Sequence, residues 1–515
     1  MQTEKEYLIG REISALRSES VGEYSLPDYN GDVKKVLLVK TKVFPSGKFV
    51  GEELLEFSGT VGYEVVYLDA ENTVTHAEFS TDYDAAVRIN AECYVDSDVK
   101  TSVSGCNIRL VGPRKISVKC MLDSDVVISE RRSYCVGGDA FMDHDPETVT
   151  KCVNVLSTSF AVGTSHEVKE DMLLLDGAIA DEVEILLSDA RTELDAVSLK
   201  DGSLEMVGRM KFDVLYRNGD ERPRLVSRDL PYSAELSLEE NVAADAVTAR
   251  VETSSLTSSV TPTEEGVSIS VAASVAPRAV LKYNSSLDLV GDAYLKERGS
   301  ANEYTDLAYT EHICTERSES RFEAKCPLGE LGIESVGEVT YAEAVAKIDS
   351  LEHTAGGICV SGEIRFFGIE CHTADECNIC SPVKFSLPFK QNVKLNCQIH
   401  DNMRINHSAD VGNIKIEMDE NNITASCDLL ICLDVSAQKR QRCLGASYLT
   451  DEEYIKDSSV VTVYYPDAGE SLFGIAKRFH TSVDAIARDN RLSESVFAAS
   501  QSPLGASGVK RLIIK

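Results

Sequence analysis

The sequence predicts a mostly β protein in which three repeated β-rich, sandwich-like domains are followed by a small βααβ domain. Three observations lead to this fold class. Apolar and polar residues alternate after three similarly spaced glycines, other landmarks recur at matching offsets, and the apolar spacing becomes helical near the C-terminus. A length of 515 residues also suits several domains, and a hydrophobic content of 43% is enough for several cores.

The first landmark is a glycine that opens an alternating apolar pattern, and it occurs at Gly59, Gly208 and Gly362. The apolar positions that follow are Val61, Tyr63 and Val65; Met210, Phe212 and Val214; and Ile364 and Phe366, with Gly368 interrupting the third. Alternating aromatic and β-branched residues are typical of a strand with one buried face. The sequence therefore predicts a half-buried strand at the same place in each repeat.

Three further landmarks keep their order in every repeat: an apolar position before the glycine, an aromatic residue after it, and a later alternating segment. These positions are Val36, Ile185 and Val339; Tyr83, Tyr232 and Phe389; and residues 116–120, 267–271 and 423–427. Each repeat exceeds about 100 residues, which is enough to enclose its own core. Short strands separated by turn residues favour a β-sandwich for each repeat.

The predicted domains span residues 1–135, which include an N-terminal lead segment, 136–290, 291–450 and 459–515. Polar, acidic stretches with few glycines and prolines separate the repeats. Connectors of this composition do not suggest long flexible tethers. We therefore expect a semi-rigid row of domains.

The last domain begins where the composition changes, near Val461. Leu472, Ile475, Ala476 and Phe479 have the spacing of the apolar face of a helix. Residues 481–482 provide N-cap candidates for a second helix, which ends near Asn490. Together with strands at 461–465 and 509–514, these helices predict a βααβ unit.

This unit resembles the LysM family, which shares its opening around residues 467–472, its I-A-x-x-F helix and its terminal G-x-x-L-x-I strand. The chain departs from the family pattern in the insertion at 493–507. The unit has seven basic and five acidic side chains, whereas the whole chain carries a net charge of −32. A weakly basic module beside an acidic body suits docking to an acidic protein surface, although scattered surface charge explains the same numbers.

The repeats resemble the SPOCS domains of spore coat proteins, through the sequence EYSLPDY at 23–29 and the apolar pattern that follows it from Asp32 to Leu37. Several SPOCS units followed by a LysM domain resemble clostridial coat morphogenetic proteins over nearly the whole chain. The resemblance implies a protein of the mother-cell cytoplasm at the forespore surface. It also implies that the LysM domain docks to the ATPase of the coat basement layer, and that other coat proteins are partners.

The alternative function is binding of peptidoglycan, through N-acetylglucosamine, in the cell wall or spore cortex. Carbohydrate sites often use exposed aromatic faces, but the chain contains no tryptophan, and Phe473 and Phe479 have the spacing of core residues. We therefore favour a protein partner over a glycan. The candidate partner-binding residues are Tyr464, Tyr465, Lys477, Arg478 and Arg491.

Several other functions are disfavoured by the sequence. It contains no phosphate-binding loop, no H-E-x-x-H and no G-x-S-x-G motif, so we expect no catalytic residues, no cofactor and no enzymatic activity. The net charge of −32 opposes binding to nucleic acid and to anionic lipid. Because no apolar run reaches membrane-spanning length and the start is acidic, we expect neither membrane insertion nor export.

One cluster of soft ligands occurs in the third repeat, at Cys371, His372, Cys377 and Cys380. A zinc ion takes four such ligands, so the cluster is a weak metal candidate. The other two repeats have no such ligands at the matching place and do not need a metal to fold. We therefore expect no metal here, and the odd count of fifteen cysteines predicts mostly buried, reduced thiols.

Overall fold

The chain is mostly β, as predicted, with a few short helices near its C-terminus. The computed structural model describes residues 4–27, 30–142, 144–200, 202–219, 221–238, 243–331, 333, 336–354, 356–374, 377–455, 460–467, 469–493, 501–504 and 509–515. Every helix in these ranges is too short or too polar to cross a bilayer.

The first repeat contains two three-stranded antiparallel sheets. Its strands are β1 (Glu4–Ser25), β2 (Val33–Val50), β3 (Leu54–Asp69), β4 (Val74–Arg88), β5 (Tyr94–Gly112) and β6 (Lys115–Cys135). One sheet has the order β1-β6-β5 and the other the order β2-β3-β4. The chain thus crosses to the second sheet after β1 and returns to the first for β5 and β6, which joins the two ends of the repeat in one sheet.

The second and third repeats follow the same plan. The second contains β7 (Glu147–Val162), β8 (His166–Asp176), β9 (Val183–Lys200), β10 (Ser203–Asn218), β11 (Arg224–Ser237), β12 (Ala246–Pro262) and β13 (Gly266–Tyr294). The third contains β14 (Arg298–Pro327), helix α1 (Leu328–Leu331), β15 (Glu338–Thr354), β16 (Gly357–Ala374), β17 (Cys377–Lys394), β18 (Met403–Met418) and β19 (Asn422–Glu453). Their sheets are β12-β13-β7 with β8 beside β13, β9-β10-β11, β14-β19-β18 and β15-β16-β17.

The landmark glycines lie opposite the landmark aromatic residues. Gly59 pairs with Tyr83, Gly208 with Tyr232, and Gly362 with Phe389 across neighbouring strands. A Cβ atom at Gly59 would lie 2.7 Å from the ring of Tyr83, and one at Gly362 would lie 2.8 Å from the ring of Phe389. In all three repeats the nearest atom to such a Cβ is a carbonyl oxygen of the other neighbouring strand, so the glycine leaves room for that backbone and, in the first and third repeats, also for the ring.

The alternating residues after each glycine form one wall of the core of their repeat. All eight are buried: Val61, Tyr63, Val65, Met210, Phe212, Val214, Ile364 and Phe366. The opposite wall comes from the later alternating segment in β6, β13 and β19. The predicted half-buried strands are thus confirmed, and Gly368 lies within β16 without ending it.

The three repeats do not form a row, because they pack against one another around a shared apolar cluster. Leu38, Leu187 and Tyr341 stand the same number of residues before their landmark glycines, and all three are buried in this cluster. The expectation of a semi-rigid row was wrong because each repeat has apolar residues outside its own core, and burying them requires the other repeats.

A buried ion triad lies beside this cluster and takes one residue from each repeat. Lys40 Nζ lies 3.0 Å from Asp189 Oδ2 and 2.8 Å from Glu343 Oε2. These three residues also occupy equivalent positions before Gly59, Gly208 and Gly362. Burial opposes the charge on Lys40, but Tyr341, Asp189 and Glu343 outweigh it and raise the pKa of the lysine well above its usual value.

A second set of polar contacts joins the other three sheets. Lys282 of the second repeat forms ion pairs with Glu12 of the first and Asp434 of the third. The hydroxyl of Tyr134 donates to the carbonyl of Leu444, at 2.8 Å, and accepts from the amide of Val290. Polar contacts at two separate places thus fix the relative positions of the three repeats.

Candidate functional site

The C-terminal module has the predicted βααβ order. Its elements are β20 (Thr462–Tyr464), α2 (Leu472–Arg478), α3 (Val483–Asn490) and β21 (Leu512–Ile514). The hydroxyls of Ser471 and Ser482 cap the two helices by accepting from the amides of Gly474 and Ala485, at 3.0 and 3.1 Å. The predicted domain start at 459 lies outside the described residues, as do 494–500 and 505–507 of the predicted insertion.

A small apolar core holds the two helices against the two-stranded sheet. Leu472, Ile475 and Ile486 from the helices pack with Leu512 and Ile514 from β21, and all are buried. The side chain of Asn490 ties α3 to β21, because it donates to the carbonyl of Ile513 at 2.7 Å and accepts from its amide at 2.6 Å. The side chain of Asn490 thus satisfies both the amide and the carbonyl of Ile513.

One side of the module is buried against the second repeat. Tyr294, at the end of β13, lies in the core of the module, where its ring meets the edge of Phe473 at a centroid distance of 5.2 Å. Its hydroxyl donates to the carbonyl of Thr481 at 2.5 Å. We call the three packed repeats the body. The core of the module therefore includes a residue from the body.

An ion pair stands beside this aromatic contact. Lys477 Nζ lies 2.8 and 2.7 Å from the two carboxylate oxygens of Asp292, which also accepts from Asn302 and Tyr304, each at 2.8 Å. Burial alone would raise the pKa of Asp292, but the hydrogen bonds from Lys477 and Tyr304 outweigh burial and lower it. The module and the body are thus joined by both apolar and charged contacts.

Another face of the module, on its two-stranded sheet, is exposed and apolar. Val461, Val463 and Tyr465 alternate along β20 and its flanks and are 57%, 52% and 67% exposed. Ile513 pairs with Val463 on the neighbouring strand and is 37% exposed. We call these four residues the outer face. The alternation of β21 places two exposed cations, Arg511 and Lys515, on the same side as Ile513.

Comparison with known proteins identifies the module. The LysM domain family model matches residues 468–496. No curated protein and no solved structure matches the chain. The match covers α2 and α3 and confirms the predicted LysM domain, and a LysM domain indicates glycan binding of the peptidoglycan and chitin class.

The structure places the five candidate partner-binding residues in different surroundings. Tyr464 is half-buried and donates to Glu470 Oε2 at 2.7 Å, and Glu470 also forms a 2.7 Å ion pair with Arg478. Lys477 faces Asp292 of the body. Only Tyr465 lies on the outer face.

Arg491 ends α3 in a left-handed conformation, with φ 52°, and is exposed. Val461, Val463 and Ile513 were not among the predicted contact residues, although their exposure makes them candidates for partner contact. The apolar alternation from 461 to 465 was the signal for the two valines, because it predicts one inward-facing and one outward-facing set of side chains. Asp292 and Tyr294 were not predicted either, and no pattern within the module points to them.

The weak metal candidate has a different role in the third repeat. Cys371 and Cys380 are direct cross-strand partners on β16 and β17 and form a disulfide, with Cα atoms 4.2 Å apart. Sulfurs bonded to each other are not thiolate ligands, so the expectation of reduced thiols was wrong for this pair. His372 Nδ1 lies 3.3 Å from Glu370 Oε2, and the side chain of Cys377 lies outside the described residues. Among the described residues, no group of three or more ligands could hold a metal ion.

Proposed function

We propose that this chain is a non-enzymatic assembly protein of the spore coat, similar to the clostridial morphogenetic protein SipL, and that its LysM domain docks to the ATPase of the coat basement layer. The proposal places it in the mother-cell cytoplasm, at the forespore surface. Its supports are the resemblance of the repeats to SPOCS domains and the LysM domain after the third repeat.

The observation that carries the proposal is the outer face. A face with Val463 and Tyr465 each more than half exposed leaves apolar area open to water, and burying it against a partner would favour association. Arg511 and Lys515 lie beside this face, so the complementary partner surface is acidic with an apolar centre.

The body suits the role of a platform for several partners. Because the three repeats pack together through Lys40, Lys282 and Tyr134, they present their surfaces in fixed relative positions. A rigid platform holds two bound partners close together, which raises the effective concentration of each for contact with the other. We propose that other coat proteins bind these surfaces while the LysM domain attaches the platform to the basement layer.

The test measures binding of the full chain to the purified basement-layer ATPase. Val463→Glu should weaken binding by more than tenfold, because a charge at the centre of a buried contact lacks a partner. Arg488→Ala is the matched control, since Arg488 is an exposed residue of α3 and does not belong to the outer face. Equal binding of the wild type and Val463→Glu would contradict docking through the outer face.

The second candidate function is glycan binding, which the LysM match itself favours. Chitooligosaccharides and purified peptidoglycan are the probes, in titrations of the same two variants. Micromolar binding to these glycans, without binding to the ATPase, would replace the coat-assembly proposal with a peptidoglycan-binding protein of the wall or cortex.

A further inference from the structure

Two cysteines of the third repeat lie close together without being bonded. The Sγ atoms of Cys314 and Cys397 are 3.3 Å apart. Cys314 belongs to β14, in one sheet, and Cys397 lies just beyond β17, in the other sheet. Both residues are half-buried. The pair therefore lies where the two sheets of this repeat meet.

Neighbouring side chains hold the two segments in this position. Gln391 of β17 donates to the hydroxyl of Ser318 at 2.8 Å and accepts from Ser320 at 2.7 Å. Asn396 donates to Glu316 Oε1 at 2.7 Å. These contacts form a seam that runs along β14 to the cysteine pair. The fold therefore holds the two sulfurs close together.

We infer that Cys314 and Cys397 form an oxidisable pair that closes this seam with a second disulfide in the third repeat. With a peroxide as oxidant, the Cys397 sulfur attacks one oxygen to give a sulfenic acid and one water. The Cys314 sulfur then displaces the sulfenic oxygen, its proton leaves with that oxygen as a second water, and the S–S bond forms. Two thiols are oxidised and one hydrogen peroxide is reduced to two waters.

The surroundings of Cys314 determine which sulfur reacts first. Burial and the nearby Cys397, Glu316 and Asp434 raise the pKa of Cys314 to about 12, so this residue is a protonated thiol at neutral pH. A protonated thiol is a poor first nucleophile towards peroxide. Cys314 therefore acts in the second step, where its 3.3 Å distance from the Cys397 sulfur favours attack despite the low thiolate fraction.

The closed disulfide would join residues that are far apart in sequence, Cys314 and Cys397. Cross-linking of this kind restricts the unfolded chain and stabilises the fold when the native geometry already brings the sulfurs together. The inference concerns the body of the protein and does not depend on the partner of the LysM domain.

The test treats the purified full chain with hydrogen peroxide and maps its peptides without reduction. The expected result is a linked peptide that contains Cys314 and Cys397, together with a rise in the midpoint of thermal unfolding that dithiothreitol reverses. Cys397→Ser should give no such linked peptide, and peroxide should raise its unfolding midpoint less than that of the wild type. Cys326→Ser, on the same strand and packed against the core of the third repeat, should keep both.

Two results would overturn the inference. The first is alkylation of both cysteines by iodoacetamide after peroxide has oxidised other thiols of the chain. The second is an equal rise of the midpoint in wild type and Cys397→Ser. If Cys397→Ser folds poorly, Cys314→Ser gives the same comparison from the other side of the pair.

Discussion

Lys477 of the LysM domain binds both carboxylate oxygens of Asp292 in the second repeat, at 2.8 and 2.7 Å. This contact stands beside the ring of Tyr294 and fixes which side of the LysM domain meets the body. A partner of the full chain therefore meets the remaining sides, which include the exposed apolar outer face.

We predict that Asp292→Asn loosens the LysM domain from the body. Loss of the charge leaves Lys477 with a neutral acceptor, and a charged hydrogen bond of this partly exposed kind contributes about 1–2 kcal/mol. Hydrogen exchange at the amides of 472–490 should become faster, while exchange in the three repeats stays the same. Arg488→Ala should change neither, and unchanged exchange in Asp292→Asn would show that the ion pair does not hold the domain.

The same contact should weaken in acid. Because the folded protein holds the pKa of Asp292 below its ordinary value, its stabilising effect is complete above the unfolded pKa, about 3.9, and is lost as the pH falls through the folded value. The protection factors of the LysM amides, which correct for the intrinsic pH dependence of exchange, should therefore fall below about pH 4 in the wild type. This dependence should be reduced in Asp292→Asn, and an identical pH profile in the two proteins would contradict it.

Replacement of Lys40 by methionine should destabilise the packing of the repeats. The change leaves Glu343 buried without a cation and leaves Asp189 with only the longer, 3.9 Å contact to Arg191, which costs about 3–5 kcal/mol. The midpoint of urea unfolding should fall clearly.

Two variants serve as controls for Lys40. Lys347→Met removes an exposed lysine that pairs with Asp349, and its midpoint should stay close to that of the wild type. Adding Asp189→Asn and Glu343→Gln to Lys40→Met should restore part of the lost stability. Equal midpoints for Lys40→Met and Lys347→Met would rule out a structural role for the triad.

Ile475→Asp should unfold the LysM domain. Ile475 is fully buried in a small core, and a carboxylate there would lose its hydration without gaining a partner. Limited proteolysis should then cut within 472–490, and the repeats should remain intact. Arg488→Asp introduces the same charge at an exposed position and should resist cleavage, so cleavage of both variants alike would point to the charge and not to the core.

Thiol titration should detect the Cys371–Cys380 disulfide. In denaturant without a reductant, the chain should show at least two fewer reactive thiols than after reduction. In Cys371→Ser, reduction should no longer add these two thiols to the count. Equal counts before and after reduction would mean that the pair is reduced in the purified protein.

The strands of the repeats could be predicted because their signals are local. Alternation after Gly59, Gly208 and Gly362 reports burial on one side of a strand, and the close approach of a carbonyl oxygen of the neighbouring strand explains why glycine stands there. The first LysM helix could be predicted for a similar reason, because the i, i+3, i+4 spacing of Leu472, Ile475 and Ala476 follows directly from helix geometry.

The contacts between the units could not be predicted from these patterns. Lys40 and Asp189 look like ordinary surface charges of their own strands, and only the packing of the repeats brings them to 3.0 Å. For the same reason, the sequence suggested that Lys477 contacts a partner protein, whereas the structure pairs it with Asp292 of the same chain. A periodic pattern describes the face of one element, and it carries no information about which distant element covers that face.

The triad of Lys40, Asp189 and Glu343 has a consequence for the ancestry and engineering of the chain. Three equivalent positions meet at one centre, as they would in a trimer of identical single-repeat subunits, yet they carry one cation and two anions. A trimer with the same residue at each position would bring three like charges together and repel itself. The copies have therefore specialised: replacing the first repeat with a duplicate of the second would put an aspartate where the lysine stands, and the shuffled chain would lack its central cation.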